Sequence, residues 1–333
     1  MFNKTKTAVL ISALTLGSAM VATPAIAQDT SGQTQNPVVL VHGLAGFDTI
    51  LVDYFYGVKN SLASVGANKV YTPQLSAVNT SEVRGEQLVE YLEDLQAATG
   101  ATKFNLIGHS QGGIDSRYAA AVRPDLVASV TSVGSPHLGS ATADFIKDTP
   151  LEDVTDAIGG AIGTLIAILG GDASLEQSAM GSMEALNSTD AAKFNAKYPQ
   201  ALRSSSCRSV PLINVGAWYW PEYAHDYSVN DGAHQVNGVQ YYSWTGTYSP
   251  IINSNPLDVG DAMLAITAIP FGFEKNDGLV GRCSSHMGQV IRDDYTMNHI
   301  DEVNQIFGLG GLFTTDPVPL YREHVRRLKN AGL

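Results

Sequence analysis

"FNLIGHSQGGIDSRY", residues 104–118, decides how the rest of the chain is read. Phe104, Leu106 and Ile107 form a short apolar run that stops at Gly108, the pattern of a buried strand bounded by a turn. Ser110 then stands with a glycine two residues to either side, and small and polar residues at helical spacing follow. A G-x-S-x-G placed after a strand and before a helix is the context in which a serine is presented as a nucleophile. The turn is so sharp that side chains at Gly108 and Gly112 would meet the neighbouring strand and helix. It lifts the Ser110 hydroxyl into the crevice at the carboxyl end of a sheet, at a helix N-terminus whose N–H groups favour an oxyanion. The plainer reading is a serine that caps the helix.

Working outward, "PVVLV" (37–41) reads as a strand buried on both faces and runs into the glycine-bearing loop "HGLAG". Residues 81–98 predict an amphipathic helix with Val83, Leu88, Leu92 and Leu95 on one face, stopped by Gly100. The strand at 104–107 and a helix from about 110 to 123 follow, the latter ended by Pro124. Val127–Val133 and Val210–Val215 read as further strands. This alternation predicts a parallel sheet wrapped by helices. Residues 144–190 break the rhythm: helical in pattern, rich in Gly, Ala, Ile and Leu, without a strand, they look inserted on the sheet. Residues 225–250 suggest a β-hairpin excursion near "NGVQYYSW".

Residues 1–27 read as a secretory signal peptide, with Lys4 and Lys6, an apolar stretch from Ala8 to Val21, and Ala25-Ile26-Ala27 at the cleavage site. Its removal leaves 306 of the 333 residues and takes the net charge from −12 to −14. Such an acidic chain is a poor candidate for nucleic-acid binding. In an exported chain the two cysteines, Cys207 and Cys283, favour a disulfide, worth about 4 kcal/mol on a chain-entropy model; two buried thiols are the other reading.

A serine hydroxyl needs a base, and the elbow architecture orders its partners as Ser, acid, His along the chain. The late histidines are His286, His299 and His324. His324 sits in a C-terminal amphipathic helix, as a surface or half-buried residue; His286 follows Cys283 closely; His299 lies in a loop before a helix, where a base can be aimed, and spacing favours it. For the acid, Asp277 stands in an Asn-Asp-Gly turn before a short Leu279-Val280 strand, although Asp-Gly also serves plain turns. The oxyanion donors would be the backbone N–H groups of Gln111 and of Leu44, with Gly43 and Gly46 letting the latter's loop approach a substrate.

With these pieces assembled, the chain resembles the true lipases of Gram-negative bacteria, of the Pseudomonas and Burkholderia type. The resemblance rests on "VLVHGLAG", "NLIGHSQGG", "VGSPHLGS", the cysteines, and a long C-terminal block running from "NDGLVG" through "CSSH" and "VIRDDY" to "MNHIDEVNQ". It implies an α/β-hydrolase fold over residues 28–333, with 144–190 a mobile helical lid. Asp277 and His299 fall on the family's triad positions. The resemblance also implies a structural Ca²⁺ held by the Asp258 and Asp301 carboxylates and the Gln305 and Leu309 carbonyls, with Asp261 a rival to Asp258, and a Cys207–Cys283 disulfide of the Burkholderia spacing. It implies hydrolysis of long-chain acylglycerols at a lipid–water interface, a foldase chaperone, and passage through the periplasm and outer membrane to the outside. A carboxylesterase for short soluble esters would share every triad residue and lack a working lid.

Overall fold

Val38–Val41 shows how the sheet is buried. All four residues are inaccessible, and they divide by alternation: Val39 and Val41 join one core, Val38 and Leu40 another. A strand covered on both faces needs apolar residues at every position, which is what "VVLV" supplies. The computed structural model describes residues 29–44, 46, 53–149, 158–170, 183, 186–203, 232–250, 253–272 and 274–333, with backbone only at 166–170. The signal-peptide residues, Cys207, the strand expected at Val210–Val215 and parts of the 144–190 and 225–250 segments lie outside them.

In chain order the first half comprises β1 (Val38–Val41), α1 (Val58–Ser64), β2 (Val70–Tyr71), α2 (Ser81–Thr99), β3 (Phe104–His109), α3 (Gln111–Val122) and β4 (Val127–Val133). There follow α4 (Ala141–Asp148), α5 (Gly160–Gly170), α6 (Ser188–Lys197), β5 (Gln235–Val236), β6 (Val239–Gly246), α7 (Val259–Thr267), β7 (Gln289–Tyr295) and α8 (Pro317–Asn330). The sheet order is β2-β1-β3-β4-β6, with β5 and β7 both paired to β6. Every pairing is parallel except β5 with β6. The chain steps from β1 outward to β2 and then back past β1 to β3. The loops after β1 and β3 therefore flank the point where strand order reverses, which is where open α/β sheets hold their ligands.

One core packs α2 and α3 on the sheet; the other packs α1 and α8 on the opposite face. Thr80 caps α2, and Gly100 closes it in the left-handed conformation (φ 72°), as its sequence predicts. The buried face of α2 differs from the expected one. Val83 is 43% exposed, and Ser81, Arg84 and Gly85 turn inward with Leu88, Leu92 and Leu95. Gly85 lies so close to Tyr118 of α3 that no Cβ fits between them. The hairpin at 235–246 turns on Asn237 and Gly238, both at positive φ, the chemistry of a two-residue hairpin turn.

Three further expectations are corrected. Leu279-Val280 is not a strand but part of a turn around Asp277, because its amides are used by that side chain. The helix expected after His299 is only a 3-10 turn, Asp301–Val303. His324 is fully buried, its Nε2 2.7 Å from Thr131 Oγ1 of β4, since α8 lies flat on the sheet.

Candidate active site

The turn at Ser110 has the strain its sequence predicts: φ is 55° and ψ −128°, a conformation that disfavours any residue with a Cβ. A Cβ at Gly108 would strike the carbonyl of Gly112, and one at Gly112 would strike the carbonyls of Val41 and His42. Both flanking glycines are therefore steric requirements of the backbone crossing between β1, β3 and α3. Ser110 N donates to Val133 O at 2.8 Å, which ties the turn to β4.

The candidate base and acid meet. His299 Nδ1 lies 2.8 Å from Asp277 Oδ2, with both side chains buried. Asp277 Oδ1 accepts from Leu279 N at 2.9 Å and Val280 N at 2.7 Å, and His299 N donates to Asp277 O at 2.8 Å. The turn thus holds the carboxylate from both ends, leaving one oxygen for the imidazole. His299, Ser110, Leu44 and Tyr54 line one cavity together with Pro136, Leu279, Val280, and Ile162 and Leu165 of α5. Of the other late histidines, His286 is committed to Asp293 at 3.0 Å and His324 to Thr131, so neither shares this cavity.

Leu44 enters the cavity on a loop whose glycine is obligatory: a Cβ at Gly43 would lie 2.7 Å from Ser110 Cβ and 2.8 Å from Tyr54 Oη. Gln111 opens α3 directly after Ser110. Arg84, fully buried, braces the Leu44 loop: Nη2 donates to His42 O at 2.6 Å, Nη1 donates to Ser76 O, and Nε donates to Asp115 at 2.7 Å. His42 accepts from Leu75 N at its Nε2; burial and then the Arg84 charge push its pKa down to about 3, so it stays neutral.

Residues that sequence reasoning passed over surround His299. His109 Nε2 donates to His299 O at 2.9 Å, and its Nδ1 accepts from Tyr54 Oη at 2.7 Å. Burial, then the neighbouring His299, holds His109 well below the ordinary histidine range, as this pattern requires. Glu302 is buried too; Oε1 accepts from Gly246 N at 2.6 Å and Oε2 lies 3.5 Å from His109 Nε2. Burial and the Asp277 carboxylate push its pKa well up. His109, His299 and Glu302 bring metal-ligand atoms within 4.8 Å of one another. Both His109 nitrogens and His299 Nδ1 are already in hydrogen bonds, so the cluster braces the histidine loop. The signal in the sequence was His109 itself, inside the elbow, but its partners come from 55 and 190 residues away.

The residues expected to hold a cation fit one. Asp258 caps α7 through Oδ1 to Gly260 N, while its buried Oδ2 has no hydrogen-bond partner among the described residues. Asp301 Oδ2 accepts from Asn298 N at 3.0 Å, and burial, then the neighbouring Asp261 and Asp258, push its pKa up to about 8. Asp261, the rival, is spent: Oδ1 accepts from Asn298 Nδ2 and Oδ2 from Asn255 N. Crowded buried carboxylates with an orphaned oxygen beside them are a donor set for a hard cation. Gln305 and Leu309 follow on the same loop, and the Gln305 side chain donates to Asp53 O at 2.6 Å, which ties that loop to the segment after β1.

Comparison with known proteins gives the chain's relatives. Residues 36–172 match the model of the α/β hydrolase fold. A triacylglycerol lipase of Vibrio cholerae is 47% identical to the chain, over 93% of it and 92% of the relative. One from Burkholderia plantarii is 40% identical, over 95% and 92%. Among solved structures, the mature form of a Bacillus licheniformis lipase superposes with a TM-score of 0.55 at 18% identity, over 87% of this chain and 91% of that one, a likeness of fold. With full-length relatives at this identity and a serine presented on the elbow of a mostly parallel sheet, the chain belongs to the triacylglycerol lipase family of serine ester hydrolases on the α/β-hydrolase fold.

Proposed function

We propose that the chain hydrolyses long-chain acylglycerols at a lipid–water interface through an acyl-enzyme on Ser110. The observation that carries the reading is that His299, hydrogen-bonded to Asp277, shares an apolar cavity with Ser110. Ser110 Oγ attacks the ester carbonyl while His299 Nε2 takes its proton and returns it to the leaving alkoxide. Asp277, held by two amides, fixes the imidazole tautomer and stabilises its cation. The Leu44 and Gln111 amides receive the developing oxyanion. Water then repeats the steps and releases the fatty acid.

Segment 144–190 acts as a lid. Ile162, Leu165 and Met183 press apolar side chains on a cavity of about 30 Å³, room for no more than a few waters and none for an acyl chain. Opening at a lipid surface would expose that apolar face, which water penalises and lipid does not. The test compares emulsified long-chain triacylglycerol with soluble tributyrin. A rate that jumps as substrate passes its solubility limit is expected; a rate that saturates smoothly on soluble esters alone would make the enzyme a short-chain carboxylesterase.

A structural Ca²⁺ at Asp258, Asp301 and the Gln305 and Leu309 carbonyls would neutralise carboxylates that otherwise repel. Asn298 joins this site to His299, its amide on Asp301 and its side chain on Asp261. A chelator is therefore expected to lower Tm by several degrees before activity decays, with added Ca²⁺ restoring both; a Tm indifferent to chelator would remove the ion from the reading. A Cys207–Cys283 bond, folding by a foldase and export through the periplasm complete the proposal, the bond supported by the lack of free thiols among the described residues.

A further inference from the structure

A second chamber, of about 290 Å³, adjoins the cavity at Ser110 and shares Pro136 and Leu186 with it. It lies between the N-terminus of α2, one side of α3, and α6. Arg117 of α3 lines it and is fully buried. Of its guanidinium, Nη2 donates to Asn195 Oδ1 at 2.5 Å, and the Phe194 ring lies 5.1 Å from Cζ. Nε and Nη1, which carry three of the five N–H donors, have no partner among the described residues.

A buried cation is ordinarily matched by a carboxylate, because an unmatched one loses its hydration without return. The carboxylates on this lining do not match Arg117. Asp190 pairs with Lys193 at 2.6 Å and Glu82 with Lys197 at 3.4 Å, all four on the exposed mouth. Beside Arg117, His137 is buried as well. Its Nε2 lies 2.7 Å from Ser132 Oγ and its Nδ1 has no partner among the described residues; with Nε2 accepting from the hydroxyl, the ring's one N–H is at Nδ1 and free. Ile114, Leu186, Phe194, Ala191 and Pro136 make the apolar part of the wall, and Thr80, Ser81, Gln111 and Asn195 add polar groups to it. Among the described residues the chamber therefore presents unmatched positive charge on Arg117, and apolar residues, Pro136 and Leu186, at its boundary with the Ser110 cavity.

We infer that this chamber binds an amphiphilic carboxylate, a free fatty acid, with its head on Arg117 and its tail along Ile114, Leu186 and Phe194. The inference rests on the lipase reading for the source of the acid, which is the product released at Ser110. Arg117 stands seven residues along α3 from Ser110, about 10 Å at the helical rise. Pro136 and Leu186 are the wall that a departing acid would cross. The site would hold product beside the catalytic cavity and make hydrolysis sensitive to accumulated acid. No bond is made or broken there.

The test is calorimetric titration of the full-length protein with decanoate below its micelle concentration, beside acetate (head without tail) and decan-1-ol (tail without charge). One equivalent of decanoate is expected to bind, at least tenfold more tightly than either control. Arg117→Met should weaken decanoate at least thirtyfold. Ala191→Phe, which fills the chamber from α6 and leaves the guanidinium in place, should do the same and keeps the question open to test if Arg117→Met does not fold. Decanoate bound equally by wild type and both folded variants would overturn the site, and so would acetate binding as tightly as decanoate. Tributyrin rates read on the same samples separate the two proposals. Absent hydrolysis with decanoate binding intact strikes the lipase reading, and intact hydrolysis with variant-insensitive binding strikes the chamber.

Discussion

Ser110→Ala is expected to lower kcat on tributyrin by about 10⁴- to 10⁶-fold, the range seen when a triad nucleophile is removed and only binding and the oxyanion donors remain. The fold should survive, because the substitution leaves the Gly108–Gly112 crossing and the Ser110 N to Val133 O bond untouched. A second readout comes from the backbone. At φ 55° and ψ −128°, alanine carries the same strain as serine, whereas glycine does not. Ser110→Gly should therefore be more stable than Ser110→Ala by about 1–2 kcal/mol in urea unfolding, although equally inactive. Activity of Ser110→Ala within tenfold of wild type would remove the serine from the chemistry. Equal stability of the alanine and glycine variants would remove the strain argument.

What could be read from the sequence was local. β1 announces itself because burial on both faces demands consecutive apolar residues, and the elbow because two backbone crossings exclude any Cβ at Gly108 and Gly112. Asp277 and His299 could be named by motif, and they meet at 2.8 Å across 22 residues of chain. The failures share a different cause. Helical spacing puts Val83 on the apolar face of α2, yet Arg84 is buried in its stead because its carboxylate, Asp115, arrives on another helix. His324 looks like a surface residue in "REHVRRLKN" until Thr131, 193 residues away, supplies its hydrogen bond. Leu279 and Val280 have strand composition, yet their amides are taken by a carboxylate, which bends the chain into a turn.

Arg117 is the limiting case. Nothing nearby in the sequence marks it, since what distinguishes it is a missing counter-charge, a property of the whole packing and of no motif. Tyr54, His109 and Glu302 are similar: each is ordinary in its own segment and acquires meaning only where three loops meet at the carboxyl end of the sheet.

Arg84→Met should cost about 3–5 kcal/mol of stability, the usual penalty for stripping a buried carboxylate of its partner. Burial already pushes Asp115 up to about 6 against the pull of Arg84; without that pull its folded pKa rises further. The sign of the pH dependence follows. Between the ordinary carboxylate value and the folded one, the native state binds more protons than the unfolded state, so stability falls as pH rises. In the wild type that fall levels off above about pH 6, and in Arg84→Met it continues to higher pH. Adding Asp115→Leu removes the orphaned charge and should restore most of the lost stability. Activity should not return with it. Arg84 also holds His42 O and Ser76 O, and hence the loop whose Leu44 amide we propose as an oxyanion donor. A misplaced oxyanion donor costs about 10²-fold, so the double variant should fold well yet show kcat reduced by roughly 10- to 100-fold at little-changed KM. Recovery of kcat together with stability would reduce Arg84 to a packing residue. Loss of kcat in a fully stable double variant would make it the positioning residue of the oxyanion loop.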